Sequence, residues 1–222
     1  MARVDNVDVY GLDESIFRSG YPMRKTVPSG GEFRSEVEGI REARMNDDME
    51  HPHIKRAIKL AYARGGGHNQ FMTGITVTFD LTLSNKAWVE AERYRFLNFI
   101  SSMSSMHRAS FFKIGECCNE YTSPEEIREA ERLQEIYNSM DGSADREGKK
   151  RAYLELLYSI PAGFELMAGM VTNYRCLRNI YEQRRDHRLP DWHVVCEWIE
   201  RLPMAKELIV PALEMRKTER GK

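Results

Sequence analysis

The 222-residue sequence reads as one α+β domain, residues 1–222, rich in helix and carrying a small, mainly antiparallel sheet. Three observations predict that class. The run GITVTFDLTL at 74–83 alternates cleanly, is rich in β-branched residues, and is the best strand in the chain; residues 4–10 alternate in the same way. Ser123-Pro124-Glu125-Glu126 is a capping box with proline at the first helical position, which predicts a helix over 124–139. Between 149 and 203, apolar residues recur mostly at helical spacing.

In chain order, the strand at 4–10 leads into a Gly/Pro/Ser-rich stretch over 19–31 that reads as an ordered loop. His51-Pro52-His53 reads as a solvated loop rather than a metal pair. Ile54, Ala57, Ile58 and Ala61 mark a helix that Gly65-Gly66-Gly67 stops. After the strand at 74–83, Ser84 caps a helix expected over 86–101. The helix at 124–139 ends in a turn at 140–145, and a further helix covers 149–159. Pro161 breaks the register, residues 162–187 have the periodicity of one long helix, and Leu189-Pro190-Asp191 opens another. No repeat or low-complexity tract interrupts the pattern.

Hydrophobic residues make up 41% and charged residues 30%, which is too apolar for disorder. The formal net charge of -1 argues against a nucleic-acid binder, because duplex binding needs a local excess of Lys and Arg. A small anionic ligand needs only a few arginines. No apolar run approaches the roughly 18 residues of a membrane span, and residues 1–10 lack the pattern of a signal peptide. Cys117, Cys118, Cys176 and Cys196 form no C-x-x-C pair, so reduced thiols in a cytoplasmic protein are expected.

Two arginine-bearing segments and one glycine-rich turn are the chemical candidates. Arg93-Tyr94-Arg95 is followed by a serine cluster, Ser101 to Ser105, and Arg108. Arginine pairs bidentately with phosphate and keeps its proton, as a monophosphate site needs. On a helix Arg93 and Arg95 would diverge by roughly 200°, and taken alone this segment reads as a solvated helix end. In the second segment Asn173, Leu177, Ile180 and Arg184 fall on one helical stripe, with Arg175 and Asn179 on another. An amide and a guanidinium among apolar neighbours require partners, and a ring with adjacent donors and acceptors would supply them. Residue by residue, a surface helix with snorkelling charges explains the segment equally. Gly65-Gly66-Gly67-His68 would let backbone approach a ligand, or simply end a helix.

The order of these pieces resembles the flavin-dependent thymidylate synthases: a Gly-His turn, a Phe-Asp strand, Arg-x-Arg, serines ending in Arg, then Pro and Asn-x-Arg-x-x-x-Asn-x-x-x-x-Arg. The resemblance spans residues 15 to about 200. It implies an α+β fold assembled as a homotetramer, with FAD bound between subunits. Flavin contacts implied are Ser19, His68, Arg93, Arg95, Asn173, Arg175 and Asn179. Nucleotide contacts implied are Arg93, Ser104, Ser105, Arg108 and Arg184, with Glu90 at the position of a usual Gln. The implied chemistry is methylation of dUMP at C5, with Arg93 and Arg184 catalytic, and with methylenetetrahydrofolate and NADPH as co-substrates. The resemblance implies no protein nucleophile, with the hydride delivered by reduced flavin. Tyr94 replaces the signature His, Asn98 a Ser and Leu157 an Arg, and Arg108 stands about three residues late. Two alternatives follow from these departures: C5-hydroxymethylation of dUMP or UMP, and a non-catalytic oligomeric nucleotide-binding protein.

Overall fold

A computed structural model of the chain describes residues 1–63 and 67–210. The elements, in order, are β1 (Arg3–Tyr10), α1 (Leu12–Arg18), α2 (Gly30–Met45), α3 (Pro52–Ala61), β2 (Thr76–Ser84), α4 (Asn85–Ala91) and β3 (Asn98–Ser102). They continue with α5 (Ser105–Arg108), α6 (Ile114–Cys117), α7 (Pro124–Ser139), α8 (Arg146–Tyr158), β4 (Glu165–Asn173), α9 (Tyr174–Arg184), α10 (Pro190–Glu200) and α11 (Ala205–Leu208). The four strands form one sheet in the order β1-β2-β4-β3, with every pair antiparallel. The expected helix-rich α+β architecture is therefore the one observed.

Alternation buries Val77, Phe79, Leu81 and Leu83 of β2 together with Ala168 and Met170 of β4. Helices cover these residues. The Phe79 and Trp198 rings lie 4.6 Å apart, which seats α10 on the sheet. Ile16, Ile40, Ile54, Leu177 and Ile180 complete this core from α1, α2, α3 and α9. A smaller cluster of Ile114, Ala130, Leu133, Leu156 and Phe164 lies under α7 and α8. Leu166 packs against both. The tight passage from β1 to α1 depends on Gly11, whose φ of 71° is left-handed and where a Cβ would stand 2.7 Å from the Gly74 carbonyl oxygen.

Four sequence expectations need correction. The helix expected over 86–101 ends at Ala91, and residues 98–102 form β3 on the sheet edge. The long helix expected over 162–187 is β4 followed by α9. Both errors have one cause: cross-strand pairing outweighs local propensity. Ala168 and Gly169 are poor strand formers, yet β4 pairs with β2 on one side and β3 on the other. His51 and His53 are not in a loop: His51 is the N-cap of α3, and His53 lies in its first turn. The Gly/Ser-rich stretch ends inside α2, where the Ser29 hydroxyl accepts from the Glu32 N–H. Ser29-x-x-Glu32 was a legible start signal. Gly65 and Gly66 lie outside the described residues.

Candidate functional site

Where β4 becomes α9, the backbone turns at Asn173, whose side chain caps the helix by accepting from the Cys176 N–H at 3.0 Å. The cap uses the amide oxygen and leaves the amide NH2 available. Asn173, Arg175, Cys176, Arg178 and Asn179 from this junction line one wall of a cavity of about 750 Å3. Arg93, Tyr94, Arg95 and Phe96 form a second wall, and Asn69, Gln70 and Thr73 a third.

Because α4 stops at Ala91, Arg93 and Arg95 lie in a turn, not on a helix. Leu97 N–H donates to the Tyr94 carbonyl at 3.0 Å, and the Thr172 hydroxyl donates to the Phe96 carbonyl at 2.8 Å, which pins the turn to β4. Tyr94 is buried while Arg93 and Arg95 stay exposed on either side. The divergence expected for a helix therefore does not arise, and both guanidiniums border the same cavity. Arg93 has no partner among the described residues, and Arg95 has only the Phe96 ring, 5.8 Å away. Arg175 donates to Gln70, and Asn179 accepts from Gln183 at 2.9 Å. Burial pushes the Cys176 thiol up, so this cavity holds a thiol and not a thiolate at neutral pH.

A smaller cavity of about 350 Å3 adjoins the first through Arg93, Tyr94 and Asn179, and adds Gln183 and Arg184. Arg184 Nε donates to the Tyr94 hydroxyl at 2.7 Å, and Nη1 donates to Glu90 Oε2 at 2.6 Å. Its guanidinium also lies over Trp192, 4.7 Å from the ring centroid. The Tyr94 hydroxyl in turn donates to Gln183 at 3.1 Å. Burial raises the Tyr94 pKa, and the Arg184 hydrogen bond opposes this, so the phenol is neutral at pH 7.

No family model matches the chain, and no curated protein sequence matches it. Among solved structures, it is similar to Thymidylate Synthase X (ThyX) from Helicobacter pylori with FAD and dUMP, at 12% identity and a TM-score of 0.61. That alignment covers 95% of this chain and 97% of that one. A second structure of ThyX from Helicobacter pylori, complexed with FAD and dUMP, gives 14% identity and a TM-score of 0.58, with 93% and 97% covered. A UMP/dUMP methylase, PolB from Streptomyces cacaoi, bound with 5-Br dUMP, gives 15% identity and a TM-score of 0.49, with 94% of each chain covered. The fold is that of the flavin-dependent thymidylate synthases.

Of the residues expected to contact flavin, Arg93, Arg95, Asn173, Arg175 and Asn179 line the larger cavity; of those expected to contact the nucleotide, Arg93 and Arg184 line the smaller one. The others stand apart. His68 is exposed and lines neither cavity; the turn reaches the larger one through Asn69 and Gln70 instead. Ser19 is buried, donating to the Ile16 carbonyl at 2.6 Å and accepting from Arg56 at 3.2 Å. Ser104 caps α5 and, with Arg108, borders a separate cavity of about 500 Å3. Ser105 opens α5 and lines none of these cavities. Glu90 lines neither site cavity and turns onto Arg184 and Trp192. Gln70, Thr73, Arg178 and Trp192 were absent from the sequence expectations. Only spatial closure of residues 69–73 on the 93–96 turn and on α9 and α10 brings them in, and nothing in their spacing signals it.

Proposed function

We propose that this chain is a flavin-dependent enzyme that methylates C5 of dUMP to give dTMP, with methylenetetrahydrofolate and NADPH as co-substrates. The observation that carries this reading is the pairing of unpartnered Arg93 and weakly engaged Arg95 with the amides of Asn173 and Asn179 around one cavity. The cavity lies within the range of about 300–1,000 Å3 typical of small-molecule sites. Its donors suit FAD: guanidiniums for the pyrophosphate, and amide groups for the isoalloxazine edge. The fold likeness to structures that hold FAD and dUMP supports the same reading.

FAD, when bound, supplies hydride chemistry that no side chain here offers. Arg93, Arg95, Arg175, Asn173 and Asn179 would hold it. Arg93 borders both cavities and would also touch the nucleotide, while Arg184 would stabilise charge developing on the uracil ring. Ser19, His68, Ser104, Ser105 and Arg108 lie away from this cavity within one chain, and the reading takes the site to be shared between the subunits of a homotetramer. A second reading, C5-hydroxymethylation of dUMP or UMP, rests on the departures from the resembled signature at Tyr94, Asn98 and Leu157 and on the late Arg108.

Incubating the protein with FAD, dUMP, methylenetetrahydrofolate and NADPH and weighing the nucleotide product tests the proposal. A methyl adduct is expected. A hydroxymethyl adduct would select the second reading, and unchanged dUMP with FAD bound would select a non-catalytic nucleotide-binding protein.

A further inference from the structure

Glu90 sits in the last turn of α4, and one of its oxygens accepts two hydrogen bonds with a histidine nitrogen nearby. Oε2 accepts from Arg184 Nη1 at 2.6 Å and from the Trp192 indole N–H at 3.0 Å, and His187 Nε2 stands 3.4 Å away. His187 Nδ1 accepts from the Leu189 N–H at 3.2 Å, which leaves Nε2 as the nitrogen facing Glu90. The pair is well shielded: the Arg184 side chain is 13% exposed and that of Glu90 24%. Tyr94 completes the enclosure, with its ring 5.9 Å from Trp192 in an edge-on arrangement and its hydroxyl on Arg184 Nε.

This leaves the guanidinium with one free end. Nε serves Tyr94 and Nη1 serves Glu90, while Nη2 has no partner among the described residues. The carboxylate also cancels the charge of Arg184, whereas Arg93 next to it stays uncompensated. An anionic group is therefore drawn to Arg93, and a neutral ring carbonyl is left for Nη2.

We propose that Glu90, backed by Trp192, is a positioning residue that fixes Arg184 in one orientation and presents Nη2 alone to the ligand. This extends the proposed function, because it assumes that a nucleotide base occupies the smaller cavity. The carboxylate does what an amide cannot: it holds Arg184 while neutralising it, so that the smaller cavity selects an uncharged pyrimidine edge. Glu90 itself touches no ligand.

Phenylglyoxal labelling of Arg184, read by mass spectrometry on the ligand-free protein, tests the clamp without any assumption about the ligand. A charge-assisted hydrogen bond of this kind corresponds to about a tenfold effect. Labelling should rise by about that factor in Glu90→Ala and by less in Glu90→Gln. The same variants are then titrated with dUMP in the presence of FAD. Glu90→Ala should weaken dUMP binding about tenfold at unchanged FAD affinity, and Glu90→Gln should recover part of the loss. In an Arg184→Ala background, Glu90→Ala should add nothing. Unaltered labelling of Arg184 in both Glu90 variants, each folded by circular dichroism, overturns the proposal. So does an undiminished Glu90→Ala effect in the Arg184→Ala background, which would make Glu90 a ligand contact. Should Glu90→Ala fail to fold, Glu90→Gln and Trp192→Phe give the same readouts. If the wild-type protein binds neither FAD nor dUMP, the proposed function fails while the labelling still decides the clamp.

Discussion

Arg93 and Arg184 are both arginines facing a cavity, yet they stand in opposite situations. Among the described residues the Arg93 side chain has no hydrogen-bond or ion-pair partner, so Arg93→Ala removes no such bond there. It should leave the melting temperature within about 2 °C while weakening FAD binding by at least tenfold, as read by flavin fluorescence. Arg184 is held by Glu90 and Tyr94, so Arg184→Ala strands a half-buried carboxylate. Stability should fall by about 1–3 kcal/mol in urea titrations, with the flavin still bound. Asn173 combines two roles that one pair of substitutions separates. Asn173→Asp keeps the oxygen that caps α9 but loses the amide NH2, so stability should hold while FAD affinity drops. Asn173→Ala should lose about 1 kcal/mol as well. At this scale the sequence singled out Arg93, Arg95, Asn173 and Asn179 by residue type, and the fold brings all four to one cavity. It was silent on the Glu90–Arg184 pair, 94 residues apart, because only the packing of α4 against α9 and α10 brings them together.

At the scale of elements, the turn after α4 and the junction of β4 with α9 form two walls of the candidate site, and these are where the sequence reading failed. Periodicity read 86–101 as one helix and 162–187 as another, because Met and Ala in β4 satisfy helical spacing as well as they satisfy a strand. Capped helices were legible: Ser84, Ser123 and the proline of α10 mark real starts. Another junction, among α1, α2 and α3, is pH-sensitive. Arg56 Nη2 donates to His53 Nδ1 at 2.8 Å and to the Ile16 and Phe17 carbonyls, while His53 Nε2 contacts Glu36 at 2.9 Å. That arrangement needs neutral His53. Burial, helped by the nearby Arg56 charge and opposed by Glu36, holds its pKa below the ordinary histidine value. The unfolded chain therefore binds the proton more readily than the folded one. The contribution to stability is full above about pH 6.5 and is lost as pH falls through the lower folded pKa. Chemical unfolding at pH 7.5 and pH 5 should show wild type losing more stability than His53→Gln; equal losses would remove His53 from the account.

On the scale of the whole molecule, the fold class was readable from strand alternation and capping boxes, but the sheet order β1-β2-β4-β3 was not, because pairing partners are set by long-range contact. Among the described residues no helix is long and apolar enough to cross a membrane. Ser19 at the α1 end, the larger cavity, and Ser104 with Arg108 at the α5 turn are separate places in one chain, and the proposed homotetramer would bring such places together between copies. Light scattering should give the mass of four chains, and FAD should raise the melting temperature because it binds only the folded form. The central claim is that the cavity of Arg93, Arg95, Asn173 and Asn179 holds flavin. Incubation with FAD followed by gel filtration tests it most directly. The protein peak should carry a flavin spectrum that NADPH bleaches, and the Arg93→Ala peak should carry much less. A colourless wild-type peak would contradict the account.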